Sequence, residues 1–186
     1  MNKFQGKYST DSMRLKNWDY GQNCSYFITI CVANRLNLFG SIQDNVMNLN
    51  ALGEIVETIC KEIEQKFQFT ILNSFVIMPN HFYGIITIKK DRTDIENDVD
   101  IRKYFMNFDK GGFANHKNPM FHQNLSRIIR WFKGRVTSEI RKTNSEFSWQ
   151  SGYHDQIIKD EKSMSKIKNY IKNNPKHWKD DQFYLN

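Results

Sequence analysis

FTILNSFVIMPNHFYGIITIK, residues 69–89, consists of two runs of β-branched and aromatic residues separated by Met78-Pro79-Asn80. Pro79 fixes its own φ, removes a backbone donor and biases Met78 towards extended geometry, so a strand ladder has to stop and turn there. The expected structure is a β-hairpin of Phe69–Met78 with His81–Lys89. Upstream, SYFITICVA (Ser25–Ala33) reads as a buried strand, with Tyr26, Ile28, Ile30 and Val32 on one face and Phe27, Thr29 and Cys31 on the other. Between them, Asn50–Phe67 places Leu52, Ile55, Val56, Ile59, Cys60, Ile63 and Phe67 at three- and four-residue steps. This is an amphipathic helix with Glu54, Glu57, Lys61 and Glu64 on its wet side.

Downstream, Lys90–Asn124 is polar and irregular, with Gly111-Gly112 and Pro119. It is longer than a plain connection inside a compact domain, and reads as a partly mobile, substrate-facing insertion. From Leu125 the helical period returns, with Ile128, Ile129, Phe132, Val136 and Ile140 inward. Phe147–Ile158 reads as a last strand, and Ser163–Asn173 as a short helix with Ser163 as N-cap, ended by Asn173-Asn174-Pro175. The first six elements of this β-α-β-β-α-β-α order match an α+β, ferredoxin-like split β-α-β sandwich, an antiparallel sheet with two helices on one face. The domain layout expected is an N-terminal arm over 1–24 and one domain over 25–186, with the insertion at about 90–124.

A chain of 186 residues with 39% hydrophobic and 14% aromatic content suits one core of its own. Twenty-seven Lys plus Arg against 20 Asp plus Glu give a net charge of +7, which suits a polyanionic partner such as nucleic acid. The three cysteines, Cys24, Cys31 and Cys60, form no C-x-x-C pair, against a disulfide framework and a Cys-type zinc site and in favour of a reducing cytoplasm. The first 25 residues hold no apolar signal core, and no apolar run approaches the roughly 18 residues of a membrane span.

Because side chains alternate along a strand, residues 81 and 83 share a face, the spacing at which two imidazoles hold one metal ion. Here they are His81 and Tyr83, and a phenol with a pKa of about 10 is a poor ligand at neutral pH. Lys166, Tyr170 and Asn174 follow one another at i, i+4 on the last helix and face the same way. Arg127, Arg130, Lys133, Arg135, Arg141 and Lys142 make the preceding helix the main basic element, able to track a phosphate backbone or to form a solvated face. Trp131, Phe132, Trp149 and Trp178 are candidates either for base stacking or for core.

The string Phe75-Val-Ile-Met-Pro-Asn-His-Phe-Tyr-Gly-Ile-Ile86 resembles the V-x-M-P-N-H-x-H-x-I block of the REP-associated tyrosine transposases, single-tyrosine HUH enzymes. YFITICVANRLNLFG (26–40), LSRIIRWFKGRVTSEI (125–140) and WQSGYHDQIIKDEKSMSKIKNYIKNNPKHW (149–178) resemble further blocks of that family in the same order. The resemblance implies a DNA strand transferase whose tyrosine attacks a phosphodiester of single-stranded or hairpin DNA. A 5′-phosphotyrosine and a free 3′-OH result, with a divalent Mg²⁺ or Mn²⁺ and no ATP. It also implies a homodimer, a C-terminal helix carrying the tyrosine, Tyr170 as nucleophile, and His81 and Asn174 as metal ligands. Arg127, Arg130, Lys133, Arg135 and Lys166 are the DNA-binding candidates, and Tyr153 is the second candidate nucleophile.

Tyr83 departs from the family pattern, standing where the second metal histidine is implied. Three outcomes are open: an impaired protein that binds DNA without cutting it, a nearby carboxylate that substitutes, or Tyr83 itself as ligand. A third class, an RNA-binding module using sheet aromatics such as Phe27 and Phe75, lacks the expected K/R-G-F/Y-G/A-F-V-x-F/Y string.

Overall fold

The computed structural model describes residues 3–4, 8–9, 15, 18–96 and 122–184. Two residues each of β1 (Lys3–Phe4) and β2 (Tyr8–Ser9) pair with one another. The main sheet is built from β3 (Cys24–Cys31), β6 (Thr70–Met78), β7 (His81–Ile88) and β8 (His154–Ile158), in the order β6-β7-β3-β8. Every neighbouring pair is antiparallel. The crossover from β3 to β6 skips β7, and that from β7 to β8 skips β3, which is the split β-α-β arrangement expected from the sequence.

The alternation of β3 divides the protein into three layers. Tyr26, Ile28 and Ile30, with Phe82, Ile86 and Ile88 of β7, pack against α1 (Ala51–Lys61) and α3 (Leu125–Ile140), which contribute Val56, Ile59 and Cys60, and Ile128, Ile129, Phe132 and Val136. Cys31, Met78, Tyr83 and Ile85 face the other way, under Ile171 of α4 (Glu161–Asn173) and under Trp178 and Phe183 of the tail. Gly84 belongs to this arrangement, since a Cβ there would lie 2.6 Å from the Phe82 ring that reaches into the first core.

Several boundaries differ from the sequence reading. The helix expected over 50–67 is capped by Asn50, whose Oδ1 accepts from the amides of Leu52 and Gly53, but it breaks at Glu62 and resumes as α2 (Ile63–Lys66). The strand expected over Phe147–Ile158 is only β8. Phe147 and Trp149 turn their rings onto Phe39 in the helical core, Trp149 keeps one isolated bridge to Val32, and Gly152 turns the chain at φ 73°. The N-cap of α4 is Asp160, whose Oδ1 accepts from the Ser163 amide at 2.8 Å, so Ser163 lies inside the helix. The polar region after β3 holds a hairpin of β4 (Gly40–Gln43) and β5 (Val46–Leu49), turned by Asp44 and Asn45, both at positive φ. Residues 97–121, most of the expected insertion, lie outside the described residues.

Candidate functional site

The turn between β6 and β7 carries Asn80 and His81, both fully buried. Asn34 and Arg35 sit at φ 55° and 54°, a left-handed pair that an arginine adopts only under constraint. Asn80 Nδ2 donates to the Arg35 carbonyl at 3.1 Å and to the Phe183 carbonyl at 2.9 Å, tying this loop and the C-terminal tail to one side chain. With the amide nitrogen committed to two acceptors, Asn80 Oδ1 is the acceptor that faces His81 Nδ1 at 2.8 Å. The network therefore assigns the proton to Nδ1 and the lone pair to Nε2. Nε2 is buried and has no hydrogen-bond partner.

Burial lowers the His81 pKa from 6.5 to about 4, opposed by the negative charge of Asp181. Between those values the unfolded chain binds a proton that the folded one refuses. This share of stability is full above about pH 6.5 and is lost as the pH falls towards 4, by about 3 kcal/mol. Thermal unfolding of the wild type is expected to show that decline, and His81→Gln a flatter profile over the same interval; equal slopes would contradict the assignment.

Tyr83, on the same face of β7 and 1% exposed, lies with its ring centroid 4.4 Å from that of His81. Its hydroxyl donates to Asp181 Oδ2 at 3.2 Å and accepts from Tyr170 Oη at 3.1 Å. Burial, then the Tyr170 hydrogen bond and the Asp181 charge, push the Tyr83 pKa far up, so it is a neutral phenol. Tyr170 projects from α4 over the sheet, edge-on to Phe27 and Tyr83, with the residue 44% exposed and its hydroxyl also 3.3 Å from Asp181 Oδ2. Burial raises its pKa as well. One turn later, Asn174 is 2% exposed; its Nδ2 donates to Asp181 Oδ2 at 3.1 Å, and its Oδ1 is buried without a partner.

His81, Tyr83, Tyr170 and Asn174 thus lie on one face of the sheet, a grouping that spacing alone does not give and the family resemblance implies, and a fifth residue, Asp181, stands among them. It arrives on the tail: after α4 the chain runs through a 3-10 segment (Asn174–Asp180), which brings Trp178, Asp181 and Phe183 back over β7. The Phe183 amide donates to Asp181 Oδ1 at 2.8 Å, and its carbonyl is held by Asn80. Among the described residues no three His, Cys, Asp or Glu side chains come together as a metal cluster. The donor types still fit a hard divalent cation: His81 Nε2 and Asn174 Oδ1 are lone-pair atoms left without partners inside the protein, and the Asn174 amide touches the Asp181 carboxylate.

The basic helix is not part of this constellation. α3 packs on the opposite face of the sheet from Tyr170, so only Lys166, exposed one turn before Tyr170, shares its element. Arg127 and Arg130 are exposed on α3. Lys133 Nζ is committed to the carbonyls of Gln150 and Gly152, at 2.8 and 2.7 Å, and Arg135 lies 3.9 Å from Glu62 and 3.7 Å from Glu139. The stacking candidates are also occupied. Phe132 and Trp149 belong to the helical core, Trp131 packs edge-on against Phe67, and Trp178 lies beside His81. Phe27 and Phe75 stack on Tyr83 and Phe82, beneath helices on both faces, which removes the open sheet surface that the RNA-module reading needs.

No family model matches the chain. A Haemophilus influenzae protein described as uncharacterised is 37% identical over 181 residues, covering 97% of this chain and 96% of its own length. Among solved structures, a REP-associated tyrosine transposase bound to a REP hairpin is similar with a TM-score of 0.57 and 17% identity, covering 89% of this chain and 74% of that one. Among the described residues no helix is long and apolar enough to cross a membrane. The chain belongs to the family of the Haemophilus influenzae protein, and its fold is that of the REP-associated tyrosine transposases, the group its sequence blocks resemble.

Proposed function

We propose that the protein is a transposase-like DNA-binding protein that cleaves and rejoins single-stranded or hairpin DNA through Tyr170. The observation that carries this reading is Tyr170 on α4, a residue 44% exposed, whose hydroxyl is held 3.1 Å from Tyr83 on the sheet face that also carries the lone-pair nitrogen of His81. Tyr170 Oη attacks phosphorus as the bond to the 3′-oxygen breaks, leaving the 5′ end on the tyrosine and a free 3′-OH; reversal rejoins the strand without ATP. Because burial keeps the phenol protonated, its proton leaves as the new bond forms, and Tyr83 and Asp181 are the acceptors within reach. His81 and Asn174 would hold Mg²⁺ or Mn²⁺, which when bound polarises the scissile phosphate and neutralises developing charge.

Lys166 is positioned for a phosphate next to the reacting one, with Arg127 and Arg130 serving DNA further away. Two copies acting on two DNA ends, in the cytoplasm, belong to the same reading. Anisotropy of a labelled hairpin is expected to show tight, salt-sensitive binding that survives EDTA. Lys166→Ala is expected to weaken that binding and flatten the log affinity against log salt slope by about 0.7, one phosphate contact on a single strand. Absence of binding, or preference for RNA of equal length, contradicts the proposal. A second reading, a descendant that binds DNA without cutting it, is favoured by Tyr83 in the place of the second imidazole. It predicts the same binding with no covalent adduct.

A further inference from the structure

We infer that Asp181 replaces the missing second imidazole, its carboxylate completing with His81 Nε2 and Asn174 Oδ1 a one-nitrogen, two-oxygen site for a hard divalent cation. This deepens the DNA-strand-transfer reading and rests on it.

The first ground is the pair of orphaned atoms. A buried acceptor without a partner costs about 1–3 kcal/mol, and native structures hold few of them. Two lie in this site, His81 Nε2 and Asn174 Oδ1, on residues that are 0% and 2% exposed. Both lead to the same carboxylate: Asn174 Nδ2 touches Asp181 Oδ2, and the His81 ring packs against Tyr83 and Phe183, each of which donates to Asp181. The tautomer set by Asn80 leaves Nε2 able to ligate, the arrangement in which metal-binding histidines are usually held from the opposite nitrogen.

The second ground is the state of the carboxylate. Among the described residues no lysine or arginine pairs with Asp181. Its Oδ2 is contacted by Asn174, Tyr83 and Tyr170 at 3.1, 3.2 and 3.3 Å. Hydroxyl donors normally approach a carboxylate to about 2.5–2.7 Å, so this oxygen is surrounded but loosely held. Its backbone is fixed independently, because Phe183 donates to Oδ1 and accepts from Asn80 on the turn that carries His81. Tyr83 then acts as a positioning residue, its hydroxyl donating to the carboxylate that ligates.

Carboxylate and amide oxygens beside one imidazole favour Mn²⁺ or Mg²⁺ over softer metals. The test is an electron paramagnetic resonance titration of Mn²⁺ into the full chain, with hairpin binding in EDTA measured on the same samples. Wild type is expected to bind one Mn²⁺. Asp181→Asn is expected to weaken that by at least about 10-fold, and adding Tyr83→His to restore it by returning the second imidazole. Unchanged Mn²⁺ affinity in Asp181→Asn, or no Mn²⁺ bound by wild type, overturns the inference. Should Asp181→Asn not fold, electron–nuclear double resonance on Mn²⁺-loaded wild type with ¹³C-carboxyl aspartate decides. A ¹³C coupling supports the site, and its absence contradicts it. Hairpin binding separates the two claims: if it persists while the metal result fails, only the inference falls, and if it is absent, the strand-transfer reading falls.

Discussion

Tyr170→Phe is expected to abolish covalent capture of DNA, by about 10³-fold or more, while leaving hairpin affinity within about threefold of wild type. The substitution keeps the ring that packs edge-on against Phe27 and Tyr83, with centroids 6.1 and 5.4 Å away, and removes only the phenol oxygen. The lost hydrogen bonds to Tyr83 and Asp181 are 3.1 and 3.3 Å long on a residue that is 44% exposed, so stability should change by no more than about 1 kcal/mol. Covalent capture that survives in Tyr170→Phe would move the nucleophile elsewhere. Tyr153 would then be examined first, although it packs against the helical core on the opposite face from His81.

Asn80→Ala is expected to lower unfolding stability by about 3 kcal/mol, or about 6–12 °C in Tm for a chain of this size. The side chain is fully buried and satisfies three groups at once: the Arg35 and Phe183 carbonyls and His81 Nδ1. Its loss leaves all three without that partner, removes the contact holding Arg35 at positive φ, and unties the tail that presents Asp181. Asn80→Asp is expected to be no milder, because it sets a second acceptor against two carbonyls. Thermal unfolding followed by circular dichroism checks both variants; a Tm within about 2 °C of wild type would contradict the role assigned to this amide.

What could be read in the chain follows periodicity and local spacing. The alternation of β3, the Pro79 turn and the helical steps of α1 and α3 specify the sheet order, and the i, i+4 step places Tyr170 above Asn174. Asp181 could not be reached that way. It meets Tyr83 across 98 residues, through a tail whose return depends on Trp178 and Phe183 burying against β7. Nor does spacing reveal which sheet face a crossover helix covers, and the basic residues of α3 and Tyr170 of α4 lie on different sides. Phe147 and Trp149 have strand-like composition but bury their rings against Phe39 instead of pairing along an edge. For the β4–β5 hairpin the signal was present, since Asp44-Asn45 are residues that tolerate the left-handed φ values of a two-residue turn.

The most direct test of the central claim is to incubate wild-type protein with a hairpin substrate nicked to trap the intermediate, in Mn²⁺, and to digest the product with trypsin for mass spectrometry. A nucleotide-bearing peptide with the added mass on Tyr170 is expected, absent when EDTA replaces Mn²⁺. Hairpin binding without any covalent adduct, or an adduct mapped to another tyrosine, would contradict it.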